Sequence, residues 1–215
     1  YAYRSTSQES GWLPEPLPAI YHGDAFAAFR NTLGGHSYAA TGSLGGSFVS
    51  DDIEDYYVDP IEAGYGGFID WDRDFIGRDA LRAKADKPRR VKVTLEWNDE
   101  DVVATMASSL FGEAPGGRFI GLPTPLNSFY TADAVLRDGE RVGLSFWASY
   151  TANARKMIST ALIDIEHAAV GTELVLTWGE PDSTREPVDA NVYREIRVTV
   201  APTPYFDKVI KSDAQ

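Results

Sequence analysis

From Val91 onward the chain alternates. Val91, Val93, Leu95 and Trp97 are apolar and Lys92, Thr94 and Glu96 between them are polar, the period of two that a half-buried strand requires. Asn98 or Asp99 then stands where a helix N-cap is needed, ahead of an amphipathic run over 101–111. GEAPGGRFIGLPTP follows as a loop by its Gly and Pro content. Stretches 132–137 and 141–148 flank Asp138-Gly139, a pair that tolerates the positive φ angles of a tight hairpin turn. Further strands are predicted over 159–166, 173–178 and 194–200. Antiparallel strands at this spacing predict a small barrel or sandwich.

The first ninety residues have a different grammar. Residues 1–23 show no sustained periodicity, and Pro14, Pro16 and Pro18 favour an extended course. Tyr1, Tyr3, Trp12 and Tyr21 make this stretch dense in aromatics with polar tips, which suit either a surface linker or the wall of a binding site. Asp24 reads as the N-cap of a short helix with Phe26, Phe29 and Leu33 on one face, ended by Gly34-Gly35. Residues 36–50 read as a Gly-interrupted strand or loop. GSLGGS lacks the lysine and spacing of a phosphate cradle, so its glycines are expected to allow close backbone packing. Asp51, Asp52, Glu54, Asp55 and Asp59 lack calcium-loop spacing and predict a solvated loop that caps a short helix. Pro60 suits a first helical position, the glycines at 64, 66 and 67 a bend, 68–71 a strand, and 74–85 a helix. Lys87-Pro88-Arg89-Arg90 marks a boundary, so the domains are expected to be 1–86 and 87–215.

Composition narrows the chemistry. A net charge of −12 argues against nucleic acid or an anionic membrane as partner. The absence of cysteine removes disulfides and thiolate catalysis and fits a cytoplasmic protein. His22, His36 and His167 are scattered without metal-ligand spacing, so no metal is expected. The apolar runs are too short for a spanning helix. The chain opens Tyr-Ala-Tyr-Arg, which reads as mid-domain and suggests a fragment.

Three blocks in order carry a family resemblance. They are DPIEAGYGGFI followed by DFIGRDAL, then DGERVGLSFWASYTANARKMISTALIDI, then EIRVTVAPTPYFD. Together they resemble the glycine-cleavage T-protein (aminomethyltransferase) superfamily over most of 43–206. LPAIY, SLGGSFVSDDIEDYY, TLEWNDEDV and VAPTPYF most resemble its tetrahydrofolate-dependent aryl O-demethylases, of the vanillate, 3-O-methylgallate and syringate type. SLGGS stands where the T-protein carries Arg-x-Glu-Ala-Gly, and Ser149-Tyr150-Thr151 where it carries Thr-Ser-Gly, which points away from aminomethyl-lipoyl chemistry.

The resemblance implies an α+β fold: the C-terminal part of a T-protein-like folate-binding domain, then a small antiparallel β-barrel. It implies methyl transfer from the methoxyl of an aromatic acid to tetrahydrofolate, with 5-methyltetrahydrofolate as product. Tyr3 is implied as the catalytic hydrogen-bond donor and Trp12, nine residues on, as a wall of the substrate pocket; ordinary packing is the alternative for Tyr3. Glu62 and Tyr65 are implied at the cofactor, or else serve the bend alone. Arg78 is expected to pair with the acidic loop. Most of the folate pocket is expected in an upstream half, so this chain alone is expected to be inactive. The alternatives are an aminomethyltransferase or sulfonium demethylase of the same superfamily, or a non-catalytic binding module.

Overall fold

The computed structural model describes residues 2–13, 16–85, 89–125, 128–186 and 188–206, with the backbone alone for 2–4. Five α-helices are seen among them: α1 (Ala2–Glu9), α2 (Ala27–Thr32), α3 (Tyr38–Thr41), α4 (Arg78–Ala85) and α5 (Asp99–Leu110). The strands are β1 (Leu44–Gly45), β2 (Arg90–Trp97), β3 (Tyr130–Thr131), β4 (Asp133–Arg137), β5 (Glu140–Thr151), β6 (Lys156–Asp164), β7 (Glu173–Trp178) and β8 (Arg194–Ala201). Six of these close into an antiparallel barrel in the order β2-β6-β5-β4-β7-β8, and β1 pairs in parallel with β3. The mixed fold with a closed barrel is the architecture expected of residues 91–206.

The period of two sorts the barrel residues. Val93, Leu95, Trp97, Val135, Ala161, Ile163, Leu176 and Val198 fill its interior. Trp97 and Trp178 meet edge to face at 5.5 Å, and the Trp97 indole donates to Ser159 Oγ at 2.9 Å. Asp138 and Gly139 take φ of 53° and 86° at the β4–β5 turn, as the hairpin signal required. Asn98 caps α5 by accepting from the Asp101 amide at 3.1 Å. A bulge in β5 sits between Phe146 and Ala148, and Trp147 inside it is held at φ 54°.

A second core lies on the outer face of β4, β5 and β6. Ala134, Leu144, Phe146 and Leu162 meet Leu13, Leu17, Phe48, Tyr56, Ala63 and Tyr130 there. Leu13 and Leu17 are buried, and each contributes about 2 kcal/mol of transfer free energy toward seating the proline-rich segment. The glycines of GSLGGS pack closely, as expected: a Cβ on Gly46 would lie 2.0 Å from the Ala132 carbonyl oxygen.

Several expectations are corrected. The N-terminal stretch is not extended throughout, because α1 occupies Ala2–Glu9. Its end is fixed by tertiary hydrogen bonds that local pattern does not encode. Asp24 opens a 3-10 turn rather than capping a helix, and Phe26 and Phe29 are exposed. Residues 68–71 form no strand: a 3-10 turn covers Gly66–Phe68 and irregular backbone follows, since a strand needs a neighbour to bond. The helix predicted over 74–85 starts only at Arg78, after Gly77 at φ 87°. Residues 86–88, where the boundary was placed, lie outside the described residues.

Candidate active site

The outer face of β2 holds the Glu62–Tyr65 bend at one end and the tail at Thr203 and Tyr205 further along. Its polar residues Arg90, Lys92, Thr94 and Glu96 each hold something. Arg90 is the most heavily engaged. Its Nε donates to Glu62 Oε1 at 2.9 Å and its Nη2 to Glu62 Oε2 at 3.2 Å and to the Tyr57 carbonyl at 2.9 Å. Its Nη1 donates to the Asp55 carbonyl at 2.8 Å. The pair is almost dry, with side-chain exposures of 7% for Arg90 and 13% for Glu62. The fork geometry of guanidinium and carboxylate therefore fixes the Glu-Ala-Gly-Tyr-Gly bend and the acidic loop to one strand.

Asp59 completes the bend. Its Oδ1 accepts from the Ile61 and Glu62 amides at 2.8 and 3.0 Å, with Pro60 in the first position of that turn. Tyr65 is half-buried, with the Lys92 ammonium 5.0 Å from its ring centroid. Burial holds the Lys92 pKa below its ordinary value, because it strips water from the charged ammonium. The acidic loop behaves as read: Asp52 accepts from the Glu54 amide at 2.9 Å and caps a 3-10 turn over Ile53–Tyr56.

An open groove of about 760 Å³ runs between residues 19–26 and this loop. His22, Phe26, Tyr57, Glu62, Lys84 and Arg90 are among its walls. Glu62 thus faces open space while both its oxygens are held by Arg90.

Further along, β2 holds the tail, which reaches α1. Thr94 Oγ1 lies 2.9 Å from Thr203 Oγ1, and Glu96 accepts from the Tyr205 hydroxyl at 2.6 Å. The Tyr205 amide in turn donates to the Glu9 carbonyl at 2.9 Å. Glu9 and Gln8 are buried. Glu9 accepts from the Thr151 hydroxyl and, at 3.1 and 2.9 Å, from Asn153 Nδ2, while Gln8 accepts from Thr160 at 2.8 Å. The last turn of α1 is therefore pinned to β5, β6 and the tail. Tyr3 lies in this helix, and its side chain is outside the described part. Trp12 follows the pinned turn with 41% of its surface exposed.

Of the expected site residues, Glu62 and Tyr65 come together at Arg90 and Lys92, whereas Trp12 sits just past the last turn of α1. Arg78 does not reach the acidic loop. It donates to the Arg73 carbonyl at 3.3 Å and lies 3.6 Å from Asp79, while Arg90, Arg89 and Arg141 serve the loop side.

Sequence reasoning missed a buried ionic cluster. Arg118 Nη2 donates to both Asp133 oxygens at 2.9 and 3.0 Å and its Nη1 to Glu180 at 3.2 Å. Its guanidinium carbon lies 3.8 Å from the Trp178 ring centroid. Arg185 donates to both Glu180 oxygens at 2.8 Å. Two cations against two carboxylates leave the cluster neutral. It accepts the Gly46 and Ser47 amides at 3.1 Å each, and so anchors GSLGGS to the barrel. Its members are scattered from 118 to 185, and no local spacing announces them.

No protein-family model matches the chain. A syringate O-demethylase of Sphingobium sp. is 41% identical over 95% of this chain and 44% of its own length. A sesamin methylene transferase of Sinomonas sp. is 36% identical over 96% of this chain and 46% of its own length. The chain thus spans about half the length of the curated relatives it matches. An aminomethyltransferase T of the glycine cleavage system from Bartonella henselae superposes with a TM-score of 0.44 and 14% identity, over 69% of this chain and 32% of that one. That likeness is too weak to rest anything on. The chain is thus similar in sequence to somewhat less than half of the syringate O-demethylase and of the sesamin methylene transferase.

Proposed function

We propose that this chain is the C-terminal half of a tetrahydrofolate-dependent aryl O-demethylase that moves the methyl of a methoxylated aromatic acid to the cofactor. The observation that carries the reading is the 41% identity to a syringate O-demethylase along 95% of the chain. The ordered motifs agree with it. Domains of 1–86 and 87–215 belong to the same proposal, as do action in the cytoplasm and a place in the breakdown of lignin-type aromatics.

An aryl methyl ether is a poor electrophile because the phenolate that leaves is basic. The site must therefore place a donor on the ether oxygen and align nucleophile, methyl carbon and oxygen. Tetrahydrofolate supplies the nucleophilic nitrogen. Tyr3 supplies the donor, since a phenol can stabilise the leaving oxygen without burying a full charge. Pinning of the last turn of α1 by Gln8 and Glu9 would hold that helix in place. Trp12 offers an aromatic wall. At the bend, Arg90 already occupies both Glu62 oxygens, so the cofactor would meet the remaining lone pairs of Glu62 and the ring and hydroxyl of Tyr65.

A second reading takes a methylenedioxy carbon as the group transferred, favoured by the 36% identity to the sesamin methylene transferase. Both readings need the other half of the longer protein. The test is Tyr3→Phe in the two-half enzyme with vanillate, 3-O-methylgallate, syringate and a methylenedioxybenzene offered separately. The expected result is a loss of kcat of at least ~100-fold, the scale of a general acid, with cofactor affinity unchanged. Unchanged kcat removes Tyr3 from the mechanism.

A further inference from the structure

Two long stretches of this chain fold with no more than partial burial. Among the described residues, none of 18–44 and none of 64–85 is buried. They are not polar linkers. Phe26, Phe29 and Tyr38 lie exposed in the first, and Phe68 and Ile76 in the second. Phe68 is 87% exposed and Ile76 wholly so. Helices α2, α3 and α4 contain no buried residue, although a globular helix normally covers its apolar stripe. The barrel meanwhile has closed on itself and its outer core is already occupied by Leu13, Leu17, Phe48 and Tyr56. Tyr38 meets Phe129 edge-on and Phe68 lies beside Tyr65, yet most of this apolar surface stays uncovered within the described chain.

The same region holds the strand that the sequence predicts and the fold does not make. Phe68-Ile69-Asp70-Trp71 has strand-forming side chains between two turn signals. Here its amides bond only locally, Phe68 to the Tyr65 carbonyl at 3.0 Å and Ile69 to Gly66 at 3.2 Å. An isolated strand with no neighbour is not stable in water. Its sequence is that of a strand awaiting one.

We infer that the face formed by residues 64–85 docks the half of the longer protein that this chain does not match, and that 68–71 becomes a strand when it does. The occupant is chosen by length. The relatives match 95% and 96% of this chain, yet more than half of each lies outside the match, the chain covering 44% and 46% of them. A segment of that remainder is long enough to cover a face this large, and strand addition to an open edge is a recurrent mode of recognition. The inference rests on the reading of the chain as half of a longer enzyme.

The test uses the 215-residue chain and, as partner, the part of the Sphingobium syringate O-demethylase that the match leaves out. Binding is followed by calorimetry and by amide hydrogen exchange. The expected result is a complex in which amides of 68–71 become protected. Phe68→Asp with Ile76→Asp should weaken it at least tenfold while leaving the urea midpoint of the free chain unchanged, because both side chains are exposed. Three results overturn the inference: no complex, a complex that the double variant forms equally well, or self-association of the free chain that already protects 64–85. Methyl transfer is read separately. A complex that protects 68–71 but transfers no methyl overturns the proposed function and leaves the docking face standing.

Discussion

Arg90→Met is the perturbation whose cost the structure defines best. The guanidinium makes four hydrogen bonds, two to the Glu62 carboxylate and one each to the Asp55 and Tyr57 carbonyls, in a pair with side-chain exposures of 7% and 13%. Methionine keeps much of the apolar stem and deletes every donor. Glu62 is left as a nearly buried carboxylate with only the Asp59 amide, at 3.4 Å, beside it. Removing one member of a buried pair costs about 3–5 kcal/mol. The low end applies here, about 3 kcal/mol, because Glu62 borders the open groove and can recruit water. With a urea m-value of about 2 kcal/mol per molar, the midpoint should fall by about 1.5 M. Replacing both residues, Arg90→Met with Glu62→Met, removes the orphaned charge. The double variant should then recover about 1–2 kcal/mol relative to the single one, the non-additivity expected of two groups in contact. The assay is equilibrium urea unfolding followed by tryptophan fluorescence. A single variant within about 0.5 kcal/mol of the parent, the scale of a neutral surface change, would refute the reasoning. So would a double variant whose loss equals the sum of the two singles.

Two glycines separate backbone strain from collision. Gly139 has φ 86° and open space around its Cβ position, so Gly139→Ala should cost only the left-handed penalty of about 1–2 kcal/mol. Gly46, at φ 96° and 2.0 Å from the Ala132 carbonyl oxygen, should lose more than about 3 kcal/mol as alanine, since the β1–β3 pairing must part; equal thermal shifts for the two variants would contradict this. Acid stability follows Asp55 and Asp101. The Ser50 hydroxyl, against the effect of burial and with help from Arg89, Arg141 and Arg90, holds Asp55 below its usual pKa, and Arg197 does the same for Asp101. Both contributions are complete above the unfolded carboxylate value of about 4 and vanish as pH falls through the lower folded values. Melting temperature should therefore drop below pH ~4 less steeply in the Asp55→Asn, Asp101→Asn double variant than in the parent; identical slopes would remove both groups from the account.

The barrel could be read in advance because its strands obey a local rule. Val93, Leu95 and Trp97 alternate with outward polar residues, and Asp138-Gly139 encodes its own turn, so neighbours in sequence suffice. The α1 helix could not, because what fixes it is 142–152 residues away: Glu9 meets Thr151, and Gln8 meets Thr160. Arg90 was visible only as part of a basic boundary cluster, although its position at the head of a strand beside Glu62 gave it the central role at the bend. Arg78 drew attention through its motif but holds only local partners. The Arg118 cluster joins residues from 118 to 185, a convergence that only the closed barrel creates. The strand expected at 68–71 failed for the opposite reason. Its local pattern is sound, but strands are completed by neighbours, and the described chain offers none.

The most direct test of the central claim is to supply an aryl substrate whose methoxyl carbon is ¹³C-labelled, with tetrahydrofolate, to this chain joined to the remaining half of its Sphingobium relative. The account predicts that the label appears in 5-methyltetrahydrofolate in step with the freed phenol, and that neither half alone produces it. Label retained on the ring in the assembled enzyme, or released as methanol or formaldehyde, would contradict it.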